Sequence, residues 1–208
     1  MHQTFWWRAA AARFNAPCLF LDRDGVLVEE VGYLHRPHDV RILPGAVEAI
    51  MAARANGWAV GLVTNQSGVG RGYYDWESFI AVQNTITERL GLGHGVFDFV
   101  AACGTHPCAA VSELRIRDHP WRKPNPGMLL AAAEALSLDL PTSAMVGDQL
   151  TDVQAGLAAG VGTVIHVATG RGLSERGQVA ALLPGLSRGQ LLFRRGLDDA
   201  LSPSLFRR

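Results

Sequence analysis

Two carboxylates separated by one residue, Asp22 and Asp24, follow directly on the apolar run Pro17-Cys18-Leu19-Phe20-Leu21. At the end of a buried strand such a pair needs a partner, because taking unpaired charge out of water is costly. A divalent cation supplies one. Magnesium takes one or two carboxylates with phosphate oxygens and water, and Asp22, the backbone carbonyl of Asp24 and a remote carboxylate, Asp148 of Gly147-Asp148, form a suitable set. Taken alone, the pair also fits an exposed acidic turn. The other polar clusters weigh against that reading. Thr64 offers a hydroxyl and Asn65 an amide after a second apolar run, and Lys123 adds a compact positive charge, all suited to holding an anion. Singly, Thr64 fits a helix cap and Lys123 a solvated side chain. Their joint occurrence, in this order at the ends of successive predicted strands, fits neither.

The elements that must position these groups alternate. Strands are expected at 17–21, Ala59 to Val63, Val96 to Ala102, Ala144 to Val146 and Thr163 to Val167. Between them, Val47, Ile50 and Met51 recur at helical spacing before a closing Gly57, and Phe79, Val82, Ile86 and Leu90 mark a second helix. Further helices are expected from about Met128 to Leu136 and from Thr151 to Ala159. This alternation predicts an α/β fold: a three-layer, Rossmann-like parallel sheet with right-handed crossovers and helices on both faces. Ligands bind such sheets beyond the carboxyl ends of the strands, where all four polar clusters fall. Residues 1–16, with Phe5, Trp6 and Trp7 followed by alanines, are expected to form a short helical extension to a domain over 17–170. The segment 171–208 has too weak a periodicity to assign structure.

Bulk properties narrow the class. A chain of 208 residues, 48% hydrophobic, suffices for one well-buried domain. Lys+Arg and Asp+Glu both number 19, so no global field draws in nucleic acid or an anionic membrane. Neither partner is expected. No apolar run approaches the roughly 20 residues that span a bilayer, and the N-terminus lacks the apolar core and cleavage site of a secretory signal. Cys18, Cys103 and Cys108 are an odd set that argues against a disulfide framework and for a reducing, cytoplasmic compartment. A soluble monomer is expected.

The four clusters together, Asp22-Arg23-Asp24-Gly25, Thr64-Asn65, Lys123-Pro124 and Gly147-Asp148 followed by Asp152, resemble the motifs of the haloacid dehalogenase (HAD) superfamily of phosphohydrolases over about residues 17–170. The resemblance implies magnesium-dependent hydrolysis of a small phosphorylated metabolite through a phosphoaspartate on Asp22. It makes Asp24 the general acid and then base, Thr64, Asn65 and Lys123 phosphate ligands, and Asp148 a metal ligand with Asp152 as a brace. Within the superfamily, Gly32-Tyr33-Leu34-His35, Thr64 to Gly72 and Arg122 to Met128 look most like the D,D-heptose 1,7-bisphosphate 7-phosphatases, with histidinol-phosphate phosphatases as close relatives. It implies substrate contacts from Glu30, Val31, Gly32, Tyr33, Thr64, Asn65, Gln66, Ser67 and Arg122, and no large cap domain, for which the spacing from Asp24 to Thr64 leaves no room.

One stretch departs from the family. The relatives carry a zinc loop with Cys-x-His and Cys-x-Cys ligands, whereas this chain keeps Cys103 but has Thr105, His119 and Trp121 at the other positions. Structural zinc is not expected, and the loop is read as held by packing of Trp121. The alternative is a rearranged tetrahedral site of Cys103, His106, Cys108 and His119. Gly68, Gly70 and Gly72 lack the spacing of a nucleotide fingerprint and read as a substrate-lining turn. His2, His38, His94 and His166 read as surface or core residues. A signalling receiver domain also gathers aspartates, a Thr and a Lys, but it expects its phosphorylated aspartate on a middle strand without a following Asp-Gly. A silent binding module is opposed by the match at every chemical position.

Overall fold

A computed structural model describes residues 2–93, 95–187, 190–200 and 205, so that His94 and most of the segment beyond residue 200 lie outside the described residues. Seven strands form one sheet in the order β1-β4-β3-β2-β5-β6-β7. These are β1 (Thr4–Arg8), β2 (Cys18–Leu21), β3 (Ala59–Asn65), β4 (Phe99–Cys103), β5 (Ala144–Gly147), β6 (Thr163–Val167) and β7 (Leu191–Arg194). All neighbours from β4 to β7 run parallel.

The helices are α1 (Ala46–Ala55), α2 (Ser67–Gly70), α3 (Trp76–Leu90), α4 (Gly127–Leu136), α5 (Leu150–Ala158), α6 (Gly172–Ala180) and α7 (Leu197–Ala200). Successive side chains of a strand face opposite sides, and β2 divides accordingly. Leu19 and Leu21 pack with Ile50 of α1 and Phe79 of α3, while Cys18 and Phe20 pack with Met128 of α4 and Ala155 of α5. Burial on both faces explains why the parallel strands read as unbroken apolar runs. As expected, the connection from Asp24 to Thr64 holds no inserted domain. It makes a small flap, in which Val28 bridges Ile42 and the Glu29 N–H donates to Arg41.

The N-terminal segment corrects its expectation. It is a strand, β1, antiparallel to β4 from Thr4 opposite Cys103 to Arg8 opposite Phe99. Phe5 packs on Trp76 and Phe79, whereas Trp6 meets Phe99 and Trp121 across the sheet. That period of two is a strand's, aromatic residues favour pleated surfaces, and β4 would otherwise be an open edge. Beyond residue 170, α6 and β7 extend the fold, with Val179 and Leu191 buried against Val153 and Val164. Among the described residues, no helix is long and apolar enough to cross a membrane.

Candidate active site

β2 ends in a turn that places Asp22 at the centre of the sheet's carboxyl edge. The Asp22 N–H donates to Val146 of β5, and Gly25 takes a φ of +81° that suits glycine. A side chain at Gly25 would collide with the Asp148 carboxylate, so this glycine lets the β2 and β5 ends close together.

Asp22, Asp148 and Asp152 each offer a carboxylate oxygen, all within 4.8 Å of one another, and all three side chains are buried. Lys123 lies among them, 2% exposed, with Nζ 2.9 Å from Asp22 Oδ1, 2.6 Å from Asp152 Oδ1 and 2.8 Å from the Val63 carbonyl. Burial opposes the lysine's charge, but Asp152 and Asp22 outweigh it and push its pKa above the ordinary lysine value. One lysine among three carboxylates leaves excess negative charge. Burial first, then the charges of Asp22 and Asp152, therefore push Asp148 up to about 8, and Asp152 is raised as well. Asp148 Oδ2 accepts the Arg171 N–H at 2.8 Å, whereas its buried Oδ1 has no hydrogen-bond partner. An orphaned carboxylate oxygen beside two further carboxylates fits a hard divalent cation. Asp152 is committed elsewhere: besides Lys123 it takes the Gln149 N–H at 2.9 Å as the capping box of α5.

Asp24 turns away from this cluster. Arg23, fully buried, grips its carboxylate with Nε and Nη2 at 3.0 and 3.1 Å. Burial raises the Asp24 pKa, with Arg23 opposing it.

A cavity of about 250 Å³ opens above these groups, lined by Asp22, Asp24, Glu30, Gly32, Tyr33, Thr64, Asn65, Gln66, Ser67, Arg122 and Lys123 among others. Val31 is the exception: it is 51% exposed and lies outside that lining. The turn explains it, because Gly32 N–H donates to Glu30 Oε1 at 2.6 Å and draws Glu30 inward, leaving Val31 facing outward. Asn65 is also used differently from expectation. Its amide clamps the Lys123 backbone, accepting its N–H at 3.1 Å and donating to its carbonyl at 3.0 Å. Arg23, Arg71, Tyr74, Gln149, Thr151 and Arg171 line the cavity outside the expected site residues, as does His106, expected only in the alternative zinc set. Arg23 falls inside the Asp-x-Asp stretch and Arg71 inside the Thr64 to Gly72 stretch, whereas Tyr74, Gln149, Thr151 and Arg171 carried no sequence signal.

The stretch from Cys103 to Trp121 does not assemble the rearranged zinc set. Cys103 Sγ is 3.7 Å from His119 Nδ1 and 3.2 Å from Thr105 Oγ1, but the His106 ring nitrogens face Arg71 and the Cys108 N–H, and Cys108 is exposed. Among the described residues, the acidic trio is the one metal-ligating group of three or more.

Residues 120–184, which carry Lys123, Asp148 and Asp152, match the family model of the HAD-hydrolase-like proteins. With the parallel sheet and its buried acidic centre, this points to the class of HAD-like hydrolases. The chain is 48% identical over 148 residues to the D-glycero-β-D-manno-heptose-1,7-bisphosphate 7-phosphatase of Mesorhizobium japonicum, covering 71% of this chain and 67% of that one. It is 39% identical over 165 residues to the enzyme of the same name from Vibrio cholerae, covering 79% and 88%. The crystal structure of D,D-heptose 1,7-bisphosphate phosphatase from B. bronchiseptica, complexed with magnesium and phosphate, matches with a TM-score of 0.73 and 31% identity over 88% of this chain and 94% of that one. The chain belongs to this family of HAD-type heptose-bisphosphate phosphatases.

Proposed function

We propose that the protein removes the 7-phosphate of D-glycero-D-manno-heptose 1,7-bisphosphate in a magnesium-dependent reaction, with Asp22 as nucleophile. Its carboxylate is held by Lys123, which also neutralises phosphoryl oxygens alongside Thr64. Asp24, whose pKa burial raises, protonates the leaving alkoxide and then takes a proton from the water that hydrolyses the phosphoaspartate. Asp22, Asp148 and the Asp24 carbonyl would hold magnesium, which when bound would supply charge neutralisation at the transferring phosphoryl group. Three free cysteines fit a cytoplasmic setting.

The observation that carries the substrate reading is the charge on the rim. Arg71, Arg122 and Arg171 stand around a cavity whose floor already has Lys123 for one phosphate, so cations remain for a second. Histidinol phosphate, with one phosphate and a cationic amine, has less use for them. The test compares kcat/KM for heptose 1,7-bisphosphate and histidinol phosphate with magnesium present, using Asp22→Asn as the blank. Expected are a clear preference for the heptose and no turnover by the variant; comparable efficiency on histidinol phosphate reverses the substrate, and an active Asp22→Asn removes the nucleophile.

A further inference from the structure

The resemblance implies that Gln66 contacts substrate, yet every hydrogen-bonding position of its side chain is filled from within the protein. Its Nε2 donates to Asp24 Oδ2 at 3.1 Å and to Thr64 Oγ1 at 2.9 Å, while its Oε1 accepts from the Tyr74 hydroxyl at 2.6 Å and from Arg23 Nη2 at 3.2 Å. A primary amide has two donor hydrogens and two acceptor lone pairs, so nothing remains for a substrate. The residue is also 1% exposed. Its orientation is determined. A flipped amide would set its NH₂ group against the Arg23 guanidinium, which has no acceptor.

Tyr74, whose hydroxyl holds the amide from the far side, is itself fixed. Its ring lies in the space that a Cβ at Gly68 would occupy, and His35 stacks on it with centroids 5.7 Å apart at 5°. Arg23 also donates to the Leu34 carbonyl and lies over the Phe79 ring. The Gly68 turn and the Gly32 to His35 loop thus meet behind Asp24.

The consequence falls on the two Asp24 oxygens, which are not equivalent. Oδ2 accepts from Arg23 Nε and Gln66 Nε2 and also lies 3.0 Å from Arg23 Nη2, whereas Oδ1 meets Arg23 Nη2 alone, at 3.1 Å. We infer that Gln66 and Tyr74 are positioning residues for Asp24, saturating Oδ2 so that Oδ1 is the oxygen that carries the proton. This rests on the general-acid reading of Asp24 given above. In the first step an Asp22 oxygen bonds to phosphorus, the phosphorus–leaving-group bond breaks, and the leaving oxygen takes its proton from Asp24 Oδ1. In the second, water oxygen bonds to phosphorus, its proton passes to Oδ1, and the Asp22–phosphorus bond breaks.

The experiment separates proton donation from binding and folding by varying the leaving group. kcat/KM, which reports the steps through phosphoryl transfer to Asp22, is measured for heptose 1,7-bisphosphate and for 2,4-dinitrophenyl phosphate, whose leaving group needs no proton. Because general acid catalysis contributes about 10²- to 10⁴-fold, Tyr74→Phe is expected to lose about 10-fold or more on the alkyl phosphate and to stay within about twofold on the aryl one, whereas Gln66→Met, which also releases the Thr64 hydroxyl, is expected to lose on both but about 10-fold more on the alkyl phosphate. Asp24→Asn is the reference and shows the same selectivity more strongly. If Asp24→Asn lacks it, the general-acid reading itself fails. If Asp24→Asn shows it while the other two variants lower both substrates equally, or neither, the positioning role is overturned and the general acid stands. Thermal melts accompany the kinetics; should Gln66→Met not fold, Tyr74→Phe, which removes one hydroxyl, decides alone.

Discussion

Lys123 is the residue on which the buried charges turn. It is the cation shared by Asp22 and Asp152, and at 2% exposed it has little solvent to substitute for the lost interaction. Breaking a buried ion pair by removing one partner costs about 3–5 kcal/mol, because the surviving charge is stranded. Lys123→Met should therefore fold with a loss of that order in urea unfolding with chelator present, and should be inactive. Asp152→Asn should also be destabilised, since it loses both the lysine and its α5 capping role; a wild-type unfolding midpoint for either variant would refute the shared-cation account. At this scale the sequence was informative where a charge stood at a strand end, because such a charge has few structural uses. It marked Arg23 by its place inside the Asp-x-Asp stretch but not its burial, which depends on Phe79, Leu34 and Gln66 arriving from other segments. It did not show that Val31 faces away from the cavity, because a resemblance of loops does not say which way each side chain turns.

Among the elements, β1 and the loop from residue 104 to 121 belong together. Gly104 N–H donates to the Gln3 carbonyl, Gln3 Nε2 donates to the Glu113 carbonyl at 3.2 Å, and Trp6 meets Trp121 edge to face at 6.1 Å. Trp121 also packs against the cluster around Phe20 and Phe99, just before Arg122 and Lys123. The loop is thus ordered by the N-terminal strand and by apolar packing. Purified protein should contain no stoichiometric zinc. Trp121→Ala should raise KM more than it lowers kcat, and Trp6→Ala should do so in the same direction. Their coupling in a double-mutant cycle should be about 0.5–1.5 kcal/mol, the range for aromatic pairs. About one equivalent of tight zinc, lost with Cys103→Ser, or no change in KM for either tryptophan, would contradict this. The strands and helices of the central sheet were legible because burial on both faces leaves uninterrupted apolar runs. The N-terminal strand was not, because the alanines after Trp7 favour helix locally and only the open edge of β4, a tertiary fact, decides for a strand.

For the whole molecule, the sheet delivers three carboxylates to one buried point, and the fold carries the cost of their repulsion wherever no cation neutralises them. Asp148 is the sensitive group, pushed up to about 8 by burial and by Asp22 and Asp152, whereas in the unfolded chain it titrates near the ordinary carboxylate value of about 3.9. Between those values the native state holds a proton that the unfolded state does not, so stability falls as pH rises through the window. Asp152 and Asp24, also raised, act in the same direction, while the raised Lys123 loses its contribution only above the ordinary lysine range. A bound divalent cation replaces the proton and should stabilise most where the proton has left. In chelator, the melting temperature should decline from about pH 5.5 to about pH 8, and the gain on adding magnesium should be larger at the higher pH. Asp148→Asn should flatten the decline and remove most of the gain. A magnesium shift equal at both pH values, or larger at the lower one, would show that the cation does not displace a proton from this cluster.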